Sequence, residues 1–320
     1  MRIVCIDTEA QYRDIVERDV VAPLQAQGHE FTWIDGGRFD DPAAAIAAAQ
    51  GFDGLYVIGD QGPLPAGLLE QATTLRLVSF VGTGARRFVD MEEAERAGVT
   101  VTNVPDFASQ SVAEHAIALM FAVARRVVEG DGIVRSGGWS KHQGVKLAGQ
   151  RLGVIGAGAI GARVVRIAKA LGMEPVYWSR TVDPDRSAEL GAEQVSLEEL
   201  VETSRVVSVH LTHSPETDGL VSRELLERLR PDAIFVNTAR AEVVDTEALD
   251  ELLAHGRIFG AGIDVFTEEP PNPAGLPAVS SNAVLTPHIG FHTDEADDVF
   301  RLAAENILAF AAGTPTNVIH

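Results

Sequence analysis

The stretch "LGVIGAGAIGARVVRIAKALG" constrains this chain more than any other. An apolar run ends in Gly156-Ala157-Gly158-Ala159-Ile160-Gly161, and an amphipathic helical pattern follows at once. The first glycine permits a tight turn, the second lets a pyrophosphate approach the backbone, and the third lets helix and strand pack closely. Phosphates then rest on the helix N-terminus, where unpaired N–H groups and the helix dipole favour negative charge. A glycine-rich turn without ligand is the competing reading. The strand before it and the helix after it weigh against that reading.

The rest of the chain alternates in the same way. "RIVCI", "EFTWI", "GLYVI", "LVSFV" and "VTVTN" are short, β-branched or aromatic, and bounded by Gly, Asp or Pro, which predicts strands. Helical segments "DPAAAIAAAQ" and "DMEEAERAG" lie between them, each opened by an acidic cap. After "VPDF" a long helix is predicted from Ser111 to Gly130, opened by a capping box at Ser111 and Glu114. Its interior "AIALMFAVA" is apolar nearly all round, so burial is expected. Six strands follow: "LGVIG", "EPVYWS", "VVSVHL", "AIFVN", "IFGAGIDV" and "AVLTP". A last helix is predicted from about Thr293, as N-cap, to Ala312. The predicted fold class is α/β, with doubly wound parallel sheets covered by helices on both faces. The Pro-rich "TEEPPNPAGLP" reads as a surface loop.

Bulk properties narrow the function classes. At 320 residues, two domains are expected, and a sizeable core can form without staples. The formal charge of −20 repels phosphate backbones and anionic lipid, so no nucleic-acid or membrane partner is expected. The run Ala116 to Ala124 is far shorter than the roughly 20 residues a membrane span needs. The single cysteine, Cys5, cannot form an internal disulfide, and the N-terminus lacks the long apolar segment of a signal peptide. The expected location is therefore cytoplasmic, and no metal site is expected. An anionic substrate would need local positive groups to draw it in.

The strand after the fingerprint ends "VYWSRT". NAD sites usually place a carboxylate there, about 20 residues on, for the ribose hydroxyls. Here Ser179, Arg180 and Thr181 occupy the place. They suit a 2′-phosphate, which a carboxylate would repel. NADP is thus expected to be preferred over NAD; the competing reading is a solvated Arg180 and NAD held through backbone contacts.

The remaining chemistry stands at strand ends. "VNTARAEVVD" places Arg240 just past a strand, "GIDVFTEEP" places Asp264 and Glu269, and "LTPHIG" places His288. Ligands of open α/β sheets bind outside the carboxyl ends of the strands. A guanidinium there can hold a carboxylate and polarise a ketone. An imidazolium can protonate the alkoxide, with a carboxylate behind it to orient it. Taken singly, each residue also has a bland reading: surface arginine, loop acid, helix-flanking histidine.

With these motifs in order, the sequence resembles the D-isomer-specific 2-hydroxyacid dehydrogenases. The resemblance runs from about Leu77 to the end, through "GTG...VD", "VAEHAIALM", "LGVIGAGAIG", "HSPETDGL", "NTARAEVVD", "GAGIDVFTEEP" and "TPHIG". It implies Arg240 as the substrate-binding arginine, Glu269 as the histidine's partner and His288 as the acid/base. It implies that backbone N–H groups around Thr83 and Gly84 hold the substrate carboxylate. Ser109, Thr212, Thr238, Ala239, Asp264 and Gly290 match cofactor-lining positions, Asp264 near the nicotinamide amide. The resemblance further implies a flavodoxin-like substrate domain of residues 1–103 and 290–320, with a Rossmann cofactor domain, 104–289, inserted. The site would lie in a cleft that closes on binding. The long helix would form a homodimer contact.

This sequence also departs from the family. The loop "GTGARRFVD" is one residue longer than usual and carries Arg86 and Arg87, which either help attract an anion or are solvated. "VIGDQGPLP" lacks the arginines of phosphoglycerate dehydrogenases, and no appended regulatory domain is expected. The expected activity is NADP-preferring reduction of a small 2-oxo acid, glyoxylate or hydroxypyruvate. The alternatives are a dinucleotide-sensing corepressor of the same fold, a phosphoglycerate dehydrogenase-like enzyme, or a formate-type dehydrogenase, against which "TEEP" speaks because that group carries Gln for Glu. His292 lies just past the strand exit and reads as a cleft-rim or hinge residue.

Overall fold

The structure is a computed structural model that describes residues 1–7, 12–34, 41–59, 62–273, 276, 282–294 and 296–319. Backbone contacts divide it into two compact units: Met1–Phe107 with Asp294–His320, and Ala108–Thr293.

In the first unit, strands β1 (Arg2–Cys5), β2 (Glu30–Trp33), β3 (Gly54–Val57), β4 (Leu77–Phe80) and β5 (Thr100–Thr102) pair in parallel in the order 2-1-3-4-5. That is the flavodoxin-like winding, with its switch point between β1 and β3. Every residue of β3 and β4 is buried, as expected for strands covered on both faces. One covering layer packs Val16, Val20, Leu24, Phe300 and Ile307 against Ile3, Tyr56 and Leu77; the other packs Ala45, Leu68 and Val89 against Val4, Leu55 and Val78. The acidic caps form as expected. Asp41 accepts from Ala44 N–H at 3.1 Å and Asp90 from Glu93 N–H at 3.0 Å, while Gly98 closes the second helix at φ +67°.

The second unit holds β6 (Arg151–Ile155), β7 (Glu174–Trp178), β8 (Glu193–Gln194), β9 (Val206–Val209), β10 (Ile234–Asn237), β11 (Gly260–Ile263) and β12 (Ala283–Leu285). All pair in parallel in the order 12-11-10-9-6-7-8, so the strand order reverses at β6. Helices Ser109–Ala124 and Ala159–Ala170 cover one face, while Leu197–Thr203 and Thr246–Ala254 cover the other. Both units are doubly wound α/β structures. No helix among the described residues is long and apolar enough to cross a membrane.

Several elements differ from expectation. The long helix begins at Ser109, and no side chain caps it. Glu114 accepts from Gln110 Nε2 at 2.7 Å instead of closing a capping box with Ser111. The helix ends at Ala124 because Arg126 turns left-handed at φ +52°, and a second helix, Val127–Arg135, follows. The last helix starts at Asp298, not after Thr293. Ala296, buried at 9% exposure, occupies the turn before it, and Glu295 lies outside the described residues. The second sheet has seven strands, β8 being a two-residue edge strand that no apolar run announced. Strand β13 (Val318–Ile319) adds an antiparallel edge beside β5. Asp60, Gln61 and part of the Pro-rich loop lie outside the described residues.

Candidate active site

The glycine turn leaves β6 where the sheet reverses direction. Gly156 takes φ +98°, and a Cβ there would stand 2.7 Å from the His210 carbonyl oxygen at the exit of β9. A Cβ on Gly161 would run into the Gly156 carbonyl oxygen. Around Gly158 nothing lies within 4 Å of a would-be Cβ, so this side of the turn is open to an approaching group. No side chain caps the first turn of Ala159–Ala170, which leaves the N–H groups of Ala159, Ile160 and Gly161 without helical partners. Open space over unpaired donors fits a dinucleotide pyrophosphate.

At the exit of β7, Ser179 Oγ accepts from Ala157 N–H at 3.3 Å and ties this loop to the glycine turn. Gln194 on β8 donates to the carbonyls of Ser179 and Thr181, both at 3.0 Å, which fixes the backbone around Arg180. Arg180 and Thr181 are exposed. Arg180 also contributes to holding the Glu216 carboxyl below its usual range, after a hydrogen bond from Ser214 and one from the backbone. Arg186 lies over the turn and donates to the Ala157 carbonyl at 2.8 Å. Neither Gln194 nor Arg186 was singled out from the sequence, because each acts across a loop that no motif marks. Thr212 is exposed after β9, and its carbonyl accepts from Thr217 Oγ1 at 2.7 Å.

Past β10 the chain must turn within three residues to present Arg240. Asn237, buried at 3% exposure, makes that turn. Its Oδ1 accepts from Ala239 N–H at 3.0 Å and its Nδ2 donates to the Arg240 carbonyl at 3.0 Å. Arg240 is half-buried and donates to the Ala239 carbonyl at 2.6 Å. The Thr238 hydroxyl is buried without a hydrogen-bond partner among the described residues.

Asp264, at the exit of β11, is almost wholly buried at 1% exposure. It accepts from the Thr286 hydroxyl at 2.6 Å, Ile289 N–H at 3.0 Å and Gly290 N–H at 2.9 Å. Burial pushes its carboxyl up; hydrogen bonds from His115, Thr286, Gly290 and Ile289 outweigh this and leave it below the usual carboxylate range. Beyond Thr286, His288 adopts φ +52°, and its Nδ1 lies 2.8 Å from Glu269 Oε2. Glu269 Oε1 accepts Phe266 N–H at 3.1 Å. His292 stacks edge-on to Phe291 at 5.9 Å, and Phe291 to His288 at 6.0 Å.

Ser109 is buried at the start of its helix in this same unit. Thr83 and Gly84 belong to the first unit. Thr83 Oγ1 donates to the Val104 carbonyl at 3.0 Å, and Asn103 Nδ2 donates to the Thr83 carbonyl at 2.8 Å. Arg86 and Arg87 lie on an exposed short 3₁₀ turn.

An open phosphate cradle at a sheet's switch point, with a carboxylate-backed histidine at another strand exit, is the layout of a nicotinamide-dependent oxidoreductase. The family described as "D-isomer specific 2-hydroxyacid dehydrogenase, NAD binding domain" matches residues 117–290. The chain is 41% identical over 264 residues to a glyoxylate reductase of Thermococcus litoralis, covering 79% of each chain. A protein of Thermus thermophilus with a crystal structure superposes with TM-score 0.85 at 36% identity over all of both chains. An acyclic imino acid reductase in complex with NADPH and D-Arg superposes with TM-score 0.83 at 27% identity, again over all of both chains. The chain belongs to the D-isomer-specific 2-hydroxyacid dehydrogenase family. It is an NAD(P)-dependent dehydrogenase that interconverts 2-oxo and 2-hydroxy acids.

Proposed function

We propose that this enzyme reduces glyoxylate or hydroxypyruvate, with NADPH preferred over NADH. The observation that carries the substrate reading is the 41% identity to a glyoxylate reductase over 79% of both chains. Ser179 and Arg180, where a carboxylate would select NADH, support the cofactor reading, as does the NADPH in the similar imino acid reductase. Residues 104–289 are read as the cofactor domain, and 1–103 with 290–320 as the substrate domain.

In this reading Gly156, Gly158, Ala159, Ile160 and Gly161 hold the pyrophosphate, and Ser179, Arg180 and Thr181 the adenosine ribose phosphate. Ser109, Thr212, Thr238, Ala239, Asp264 and Gly290 line the rest of the cofactor. The nicotinamide, when bound, supplies the hydride. Arg240 holds the substrate carboxylate and polarises the carbonyl, so its charge counts most as the oxygen becomes an alkoxide. Backbone N–H groups at Thr83 and Gly84 are also assigned to the substrate carboxylate, on the family resemblance. Glu269 fixes the proton on His288 Nδ1, which leaves Nε2 to deliver a proton to the alkoxide. Val127, Val128, Val134 and Trp139 are exposed at 54%, 56%, 57% and 81%, and these exposed apolar side chains within one short stretch support a homodimer.

Steady-state kinetics on a panel of 2-oxo acids, each with NADPH and NADH, test this reading. The highest kcat/KM is expected for glyoxylate or hydroxypyruvate with NADPH, and Arg240→Ala should lower it by roughly a thousandfold or more. Near-normal turnover in Arg240→Ala, or a clear preference for NADH, would refute the corresponding part.

A further inference from the structure

His115, on helix Ser109–Ala124, has no part in the roles above. Its Nε2 lies 3.0 Å from the Thr286 hydroxyl oxygen and 3.3 Å from Asp264 Oδ1. The chemistry sorts the donors. An ionised carboxylate only accepts, so the Thr286 O–H, 2.6 Å from Asp264 Oδ1, is given to Asp264. The hydroxyl oxygen then has only acceptor capacity left. His115 Nε2 must therefore carry a proton and direct it at Thr286 and Asp264 together.

The carboxylate that His115 supports also receives the N–H groups of Ile289 and Gly290. These residues directly follow His288, whose φ of +52° lies in the left-handed region. A non-glycine residue holds that conformation only where its surroundings dictate it. Thr286 grips the turn from the other end, its carbonyl accepting His288 N–H at 3.0 Å. The clamp is shielded, with side-chain exposures of 18% for His115 and 2% for Asp264, so water competes little for these bonds. Gly290 allows the close packing: a Cβ there would stand 2.9 Å from Asp264 Oδ2 and 3.4 Å from His115 Cδ2.

We propose that His115 is a positioning residue: through Thr286 and Asp264 it holds the left-handed turn that presents the His288 imidazole to the substrate. The proposal rests on the reading of His288 as acid/base. It gives the Asp264 carboxylate a first duty within the chain, as the anchor of the His288 turn, in addition to any contact with the cofactor.

The test combines amide hydrogen exchange on the cofactor-free protein with steady-state kinetics, in His115→Ala, His115→Gln, His288→Gln and the double variant. In His115→Ala, protection of the Ile289 and Gly290 amides should fall about tenfold or more, while β6 amides keep theirs. The value of kcat should fall about tenfold to a hundredfold, with KM for NADPH changed less than about twofold. His115→Gln, which keeps a side-chain N–H, should recover most of the loss. Removing His115 in the His288→Gln background should cost nothing further, because the two act in series. Unchanged protection at Ile289 and Gly290, unchanged kcat, or an equal loss in both backgrounds overturns the proposal. So does a uniform loss of protection that includes β6, which marks a general packing role. Full turnover in His288→Gln instead sinks the acid/base reading, and the exchange data then report on the clamp alone.

Discussion

His288 Nδ1 stands 2.8 Å from Glu269 Oε2, and the other Glu269 oxygen is held by Phe266 N–H at 3.1 Å. The carboxylate is thus gripped at both ends, one by its own loop and one by the imidazole. A glutamate left to swing would not select a histidine tautomer; one fixed by the backbone does.

Glu269→Gln keeps the shape and an acceptor but removes the charge that stabilises an imidazolium. Reduction of the preferred 2-oxo acid should lose about a hundredfold in kcat, with cofactor affinity changed little. Stopped-flow and steady-state rates at saturating NADPH check this. A loss confined to KM would show that the pair orients substrate and does not move a proton.

The cofactor preference makes a second prediction. Ser179→Asp puts a carboxylate beside Arg180, on a loop that Gln194 already holds rigid. It should lower kcat/KM for NADPH by about a hundredfold and leave NADH within about threefold, since only the 2′-phosphate meets the new charge. Equal losses with both cofactors would place the adenosine phosphate elsewhere.

How far the sequence went depends on the range of the interaction. Turns set by a single residue were legible: the Gly156 turn and the Asp41 and Asp90 caps. Strand exits were legible too, because the two-residue pleat and the flanking Gly, Asp and Pro mark them. The break at Arg126 was not, since an arginine carries no signal for a left-handed turn. Strands β8 and β13 are two residues each and have no period to read. The His115–Asp264 and Asn103–Thr83 contacts join residues far apart in sequence, so only folded coordinates bring them together. Asn237 acts locally, yet an asparagine at a strand end has too many ordinary uses to stand out.

The exposed apolar side chains of Val127–Arg135 and Trp139 make a third prediction. Trp139, at 81% exposure, is the most exposed large apolar side chain among the described residues. If a second copy covers it, Trp139→Asp should weaken self-association by about 2 kcal/mol or more, roughly thirtyfold in Kd. Sedimentation velocity over a concentration series should then show a dimer for the parent chain and a shift toward monomer for the variant. A parent chain that stays monomeric throughout would end the idea.

His210 makes the last prediction, on acid stability. It follows β9 beneath the glycine turn; its Nε2 lies 2.8 Å from Ser208 Oγ, and its Nδ1 is buried without a hydrogen-bond partner among the described residues. Burial pushes its pKa down from 6.5 to about 3. Above 6.5 the imidazole is neutral in both folded and unfolded chains, so protonation favours neither. Below 6.5 the unfolded chain takes up a proton that the folded one refuses until about pH 3, so stability falls as pH falls across that window. The loss approaches about 1.4 kcal/mol per pH unit. Urea titrations of the cofactor-free protein at about pH 7.5 and about pH 5.5 should show the parent chain losing roughly 1.4 kcal/mol more than His210→Asn, which cannot titrate. Because other histidines and carboxylates contribute equally to both chains, only the difference between them is diagnostic. An identical pH response would mean that His210 takes its proton in the folded state, and that the site beneath the glycine turn is wetter than its burial implies.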